Sequence, residues 1–198
     1  PAILAVNLQI TTFFFVAGLM LLERDEGTLT ALSVSPLTPA GYLATRTVSL
    51  TILAAVETIA LVLIAFHPGR SWLLLLTGTM ALGVIYTGLG AAIATRYASI
   101  NTFLLPASLV VTLLLLPLLA HVGFAPRSLF VLHPIEPSLT LIRAAYAPAS
   151  FGEIILGYGG SFVWSVVAFL WGRRCVSRLI RDTRASGGRW TEPVSGRW

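Results

Sequence analysis

The sequence predicts an all-α, polytopic transmembrane helical bundle, and three observations carry that prediction. Hydrophobic residues make up 56% of the 198-residue chain and charged residues only 11%, whereas soluble domains carry about 25% charged residues. Apolar runs of roughly 20 residues recur along the chain, each long enough at ~1.5 Å per residue to cross a ~30 Å hydrocarbon core. The charged residues collect at the ends of those runs. The basic excess is entirely Arg, 13 residues with no Lys. Span ends and anionic lipid headgroups account for these charges, so a nucleic-acid partner is excluded and membrane lipids are the expected surroundings. The single Cys175 precludes an internal disulfide, and no Cys and His residues recur at metal-ligand spacing, so no metal or redox cofactor is expected.

The first span covers residues 1–22. It has no basic leader or small-residue cleavage site and runs into acidic residues, so it reads as a retained span rather than a signal peptide. Asn7, Thr11 and Gly18 share one of its faces, suited to helix packing or to a polar path. The chain opens on Pro1 rather than Met, which suggests a preceding segment. Four consecutive ionisable residues, Glu23-Arg24-Asp25-Glu26, then lead into a segment over 23–39 with helix-compatible periodicity and a Pro-bounded end. Thr38-Pro39 reads as an N-cap followed by Pro at the first helical position.

The second span, residues 41–66, carries a hydroxyl-bearing stripe of Thr47, Thr51, Ala54 and Thr58, with Glu57 beside it near mid-span. A carboxylate at that depth costs roughly 2.5–3.5 kcal/mol if it is charged and faces lipid, so Glu57 is expected to face protein or water. It belongs either to a polar substrate path with Asn7, Thr11 and the Thr stripe, or to a structural hydrogen bond. The third span, residues 71–95, places Thr79, Gly83, Thr87 and Ala91 at every fourth position, a small-residue row that admits a close neighbour. The fourth, residues 100–120, contains Pro106 and Pro117, which weaken or end a helix. Residues 121–151 are Pro-punctuated, with apolar pieces too short to cross, and read as interfacial or re-entrant helices. A fifth span at 152–172 carries Trp164 and Trp171 as interface anchors. A basic tail follows over 173–198, with an amphipathic helical start and a Gly/Ser/Pro-rich end.

Counting Arg sets the orientation. With five spans, Arg24, Arg46, Arg96 and the tail arginines share one side, leaving Arg70, Arg127 and Arg143 on the other. The positive-inside rule makes the first side, with the 23–39 segment and the C-terminus, cytoplasmic.

Residues 21–43, Leu-Leu-Glu-Arg-Asp-Glu-Gly-Thr-Leu-Thr-Ala-Leu-Ser-Val-Ser-Pro-Leu-Thr-Pro-Ala-Gly-Tyr-Leu, resemble the permease subunits of ABC-2 type ATP-binding-cassette exporters, and more narrowly the bacterial fluoroquinolone-export permeases. In that family an acidic-Gly-Thr stretch enters a cytoplasmic coupling helix, and a later His/Asn-Pro element lies in an extracellular re-entrant segment. His133-Pro134-Ile135-Glu136-Pro137 matches the latter in kind. Over residues 1–172 the resemblance implies a transmembrane domain of the bacterial cell membrane. It implies ATPase-coupling roles for Glu23, Asp25, Glu26, Gly27, Thr28, Leu29 and Leu32, and places the family's basic position after the coupling helix at Arg46. Family members have six spans, so the resemblance implies that a first span is absent here. It also implies a second permease subunit, identical or similar, and a partner ATPase that binds ATP and Mg, since the sequence shows no Gly-rich phosphate loop.

The residues support that reading on their own chemistry. The acids at 23–26 suit basic partners, Gly27 suits a sharp change of direction, and Leu29 and Leu32 suit an apolar groove. The bland alternative is a solvated span end with the leucines resting on headgroups. An intramembrane enzyme would need facing catalytic groups at membrane depth, and Glu57 is the only mid-span carboxylate. A non-transporting membrane scaffold or assembly factor would share most of these features, and an ATPase that copurifies with the chain separates the two.

Overall fold

The computed structural model of the protein describes residues 2–27, 38–65 and 71–187, and the regular structure among them is helical throughout. Helix α1 spans Ala2–Asp25 and includes a π-helical stretch, Gln9–Phe14. It is followed by α2 (Pro39–Ala65), α3 (Trp72–Ala94), α4 (Ile100–Leu115), α5 (Pro117–Val122), a 3-10 turn at Arg127–Phe130, α6 (Glu136–Ala144) and α7 (Phe151–Gly187). The Thr38 hydroxyl accepts from the Gly41 N–H at 3.1 Å, so the expected cap opens α2. Ser71 caps α3 in the same way through the Leu74 N–H.

Among the described residues four helices are long and apolar enough to cross a membrane: α1, α2, α3 and α7. The expected span at 100–120 is built differently. Helix α4 has 16 residues, about 24 Å of rise, and the chain then breaks at Leu116 before the six-residue α5. Pro117 has no N–H to continue the α4 ladder and sits instead at the start of α5, where none is needed. Pro106 is accommodated within α4.

Helix α3 is the hub, packing against α1, α2, α6 and α7. Lipid tails are as apolar as leucine, so close packing rather than exclusion of water must hold such helices together. Small residues on α3 supply that packing. A Cβ on Gly83 would stand 3.4 Å from Ala54 Cβ and 3.6 Å from Thr51 Cα, so the predicted row faces α2. Glycines off that row meet the other neighbours. A Cβ on Gly90 would lie 2.6 Å from the Phe13 carbonyl oxygen of α1, and one on Gly88 2.6 Å from the Ala168 carbonyl of α7. At Gly78 it would lie 3.0 Å from Ile142 of α6.

Helix α6 is buried rather than laid on a surface: Ile135, Leu139 and Ile142 are all fully enclosed, and α6 packs on both α3 and α7. The aromatic rings of Phe13, Phe14, Tyr97 and Phe103 pack edge-on and stacked, joining α4 to the π-helical part of α1. Residues 173–187 continue α7 without a break, with Val176 and Ile180 packed among Val16, Met20, Tyr42 and Leu43.

Candidate functional site

Three polar clusters punctuate the apolar bundle. The first lies at the Arg-rich end, where α1 stops and α2 starts. Glu23 accepts an ion-paired hydrogen bond from Arg46 and a second hydrogen bond from the Tyr42 hydroxyl. Tyr42 and Arg46 are one helical turn apart, and the guanidinium lies 5.5 Å from the centre of the Tyr42 ring. Such charge-assisted contacts are about twice as strong as neutral ones. Arg24 reaches the other way and donates to the Tyr97 carbonyl at 2.8 Å. The bases of α1, α2 and the α3–α4 turn are therefore tied together around the point where the 23–39 segment leaves the bundle.

Gly27 has φ +73°, a left-handed conformation that favours glycine. Its N–H donates to the Arg24 carbonyl at 3.2 Å, which closes α1 in the manner of a glycine C-cap. The expected change of direction is thus built into the backbone. Asp25 and Glu26 are exposed beside it. Glu23, expected to face outward toward a partner, is instead engaged within the chain. Thr28, Leu29 and Leu32 lie outside the described residues.

The second cluster is at mid-span. The Thr11 hydroxyl stands 2.7 Å from both the Asn7 carbonyl and Glu57 Oε2, joining α1 to α2. A hydroxyl has one proton, so Thr11 cannot donate to both at once. Thr11 and Glu57 thus meet across the α1–α2 seam, while Asn7 takes part only through its backbone carbonyl.

The stripe beside them does not join this contact. Thr47 and Thr58 are buried and donate to their own helix at Leu43 and Ala54. Thr51 is buried without a hydrogen-bond partner at the α2–α3 seam, and Gly18 faces open space. The π-helical turn adjoins this region. Gln9 within it is 1% exposed, and neither amide atom finds a partner. Replacing Thr11 with Val should lower the unfolding midpoint by the equivalent of about 1 kcal/mol, the usual net value of one hydrogen bond. Glu57→Gln, which retains a donor and an acceptor, should cost less. Thermal unfolding of the two variants in one detergent checks the order.

The third cluster, at the opposite end, was not anticipated as a unit. The His121 ring, 2% exposed, lies 3.0 Å from Glu136 Oε2, and an Arg127 Nη lies 2.9 Å from its Nδ1. A guanidinium can only donate, so Nδ1 accepts and Nε2 carries the proton that Glu136 accepts. Arg127 also faces Glu153 at 3.8 Å, and Arg143 pairs with Glu153 at 2.6 Å. Glu153 is further held by the Ser150 N–H at 2.8 Å. Burial pushes the neighbouring His133 below its ordinary value, against the opposing pull of Leu113 and Glu136. The network ties α5, the 3-10 turn, α6 and α7 together. The available signal was His121, Arg127, His133, Glu136, Arg143 and Glu153, ionisable side chains of both signs gathered within 33 residues between apolar spans.

Among the described residues no group of three or more His, Cys, Asp or Glu side chains is arranged to hold a metal ion. The arrangement is one of tied helix ends and a polar contact between α1 and α2. Residues 1–181 match the fluoroquinolones export permease protein family. This chain belongs to that family. It is 30% identical to the fluoroquinolones export permease proteins of two Mycobacterium tuberculosis strains, CDC 1551 / Oshkosh and ATCC 25618 / H37Rv, over 99% of its own length and 79% of theirs. No solved structure matches it. The family places the chain among membrane permeases of exporters, which accords with the four apolar helices.

Proposed function

We propose that this family member is the transmembrane subunit of an ATP-binding-cassette exporter, moving an amphiphilic or drug-like molecule outward with ATP and Mg held by a separate ATPase subunit. The observation that carries this reading is the anchored exit of the 23–39 segment: Glu23 fixed to Arg46 and Tyr42, then Gly27 turning the chain. An element that transmits force from another subunit needs a stiff base. Two helix ends clamped by an ion pair supply one, and Asp25 and Glu26 stand exposed for basic groups of the ATPase. The Arg-rich end is then cytoplasmic, and a second permease subunit covers part of the exposed apolar helix faces. Asn7, Thr11 and Glu57 are the polar points of a substrate path at mid-span. The relatives' names supply a fluoroquinolone as the first substrate to test.

The test uses the complex with the ATPase that copurifies. Glu26→Ala combined with Gly27→Pro removes an exposed charge and forbids the observed φ, because proline is locked near −65°. Insertion and assembly should persist while substrate-stimulated ATP hydrolysis falls to the basal rate. Full stimulation in an assembled mutant complex would overturn the coupling role. A chain that never retains an ATPase would point to the scaffold reading instead.

A further inference from the structure

A cavity of about 420 Å³ lies between α3, α4 and α7, apart from the Thr11–Glu57 contact between α1 and α2. Its volume falls within the ~300–1,000 Å³ range of small-molecule pockets. Leu89 and Ile93 of α3, Val110 and Leu114 of α4, and Trp164 and Trp171 of α7 wall it. Trp164 and Trp171 are seven residues apart, two helical turns, and so lie on one face of α7. Arg96 and Tyr97 close the cavity at the Arg-rich end. Arg96 and Trp171 also wall an adjoining recess of about 220 Å³ that contains Thr95, Cys175, Arg178 and Asp182. An apolar chamber and a polar vestibule therefore share a wall at Arg96 and Trp171. The recess holds two arginines, Arg96 and Arg178, against the single acid Asp182, and so carries a net positive charge. Arg96 is exposed, and no ion pair engages it among the described residues.

We propose that this cavity binds an anionic amphiphile, its apolar body along the two tryptophans and its acid group on Arg96. The shape and the charge order both ask for such a ligand: apolar for the length of the chamber, anionic at one end. An anionic phospholipid and a small lipophilic acid share this chemistry. The site goes beyond the export reading and rests only on binding, so it stands or falls without any ATPase.

The chain in bilayer discs of phosphatidylcholine is titrated with 1-pyrenebutyrate and with the uncharged 1-pyrenebutanol, reading energy transfer from tryptophan. Both should bind saturably, the acid more tightly, and pyrenebutyrate should slow maleimide labelling of Cys175 in the vestibule. Arg96→Gln should weaken pyrenebutyrate about tenfold, the usual effect of losing one charge-assisted hydrogen bond, and leave pyrenebutanol unchanged. Val167 lines the cavity and is 46% exposed, so Val167→Trp can fill the chamber without disturbing the buried core and should remove saturable binding of both probes. Exchanging the disc lipid for phosphatidylglycerol identifies the source. Competition with pyrenebutyrate assigns the site to a phospholipid, and its absence assigns it to a small lipophilic acid. Equal effects of Arg96→Gln on the two probes, saturable binding that survives Val167→Trp, or no saturable binding in the wild type would overturn the proposal.

Discussion

Gly88→Leu is expected to leave no folded protein, while Gly18→Leu is expected to be silent. At Gly88 even a Cβ would stand 2.6 Å from the Ala168 carbonyl carbon and oxygen and 3.0 Å from the Phe169 nitrogen. These are backbone atoms of a continuous helix, so no rotamer change relieves the clash. The contact is reciprocal, since a Cβ on Gly172 of α7 would lie 2.8 Å from the Gly88 carbonyl oxygen. Overpacking by one or two carbons costs ~1–3 kcal/mol, and a whole Leu side chain at a backbone-to-backbone contact must separate α3 from α7. Packing is what holds membrane helices together, so α6, which sits on both, loses its seat as well. Gly18 has nothing within 4 Å of its would-be Cβ. Yield and elution profile of the detergent-solubilised proteins check the pair. A monodisperse, thermally stable Gly88→Leu protein would show that the α3–α7 contact is not what holds the bundle.

Glu136→Ala should destabilise the end opposite the arginine-rich one by about 1.5–3 kcal/mol, the usual value of a hydrogen bond to a charged group. The substitution strips the acceptor from His121 Nε2 and from the Thr140 hydroxyl, and leaves Arg127 with one fewer negative neighbour. Glu136→Gln keeps an acceptor for His121 and should recover at least half of the loss. Thermal unfolding midpoints of the two variants give the comparison, and equal midpoints would show that His121 does not depend on Glu136.

Much of the bundle was readable because membrane spans are written in composition. The runs that became α1, α2, α3 and α7 need only length and apolarity, and the Thr79–Gly83–Thr87–Ala91 row correctly marked α3 as closely packed. That row, however, describes one face. The glycines that permit the tightest approaches, Gly88 and Gly90, lie off it, because α3 has a different neighbour on each side and a four-residue spacing reports only one. Pro117 was marked in the sequence as a residue that ends a helix, and the chain does break beside it; only the extent drawn from hydropathy, 100–120, ran past the break. Hydropathy does not register a missing N–H.

The polar clusters were legible as residues but not as pairs. Glu57 was expected to face protein and Thr11 to lie on a polar face, yet nothing in a sequence says that residues 46 positions apart meet. Glu23 was assigned to an outside partner because the residue that neutralises it, Arg46, belongs to the next helix. The network from His121 to Glu153 was hidden for the same reason, its pairs being set by how α5, α6 and α7 fold onto each other. The π-helical stretch has no residue signature at all. It appears where the Phe13 backbone closes on Gly90.

The unbroken course of α7 makes it a lever. Its 37 residues extend about 55 Å, well beyond a ~30 Å hydrocarbon core, and its backbone meets that of α3 at Gly88, between Ala168 and Gly172. That point acts as a fulcrum. From Gly172 to Phe151 is roughly 31 Å of rigid helix, and from Gly172 to Gly187 roughly 22 Å. A 5° tilt about the contact therefore carries the Phe151 end by about 3 Å and the far end by about 2 Å in the opposite sense. Glu153, held by Arg143 on α6, rides on the longer arm, and Arg178 rides on the shorter. Because α7 is unbroken, any tilt about that contact would move the ion pairs at the Phe151 end farther than the arginine-bearing end.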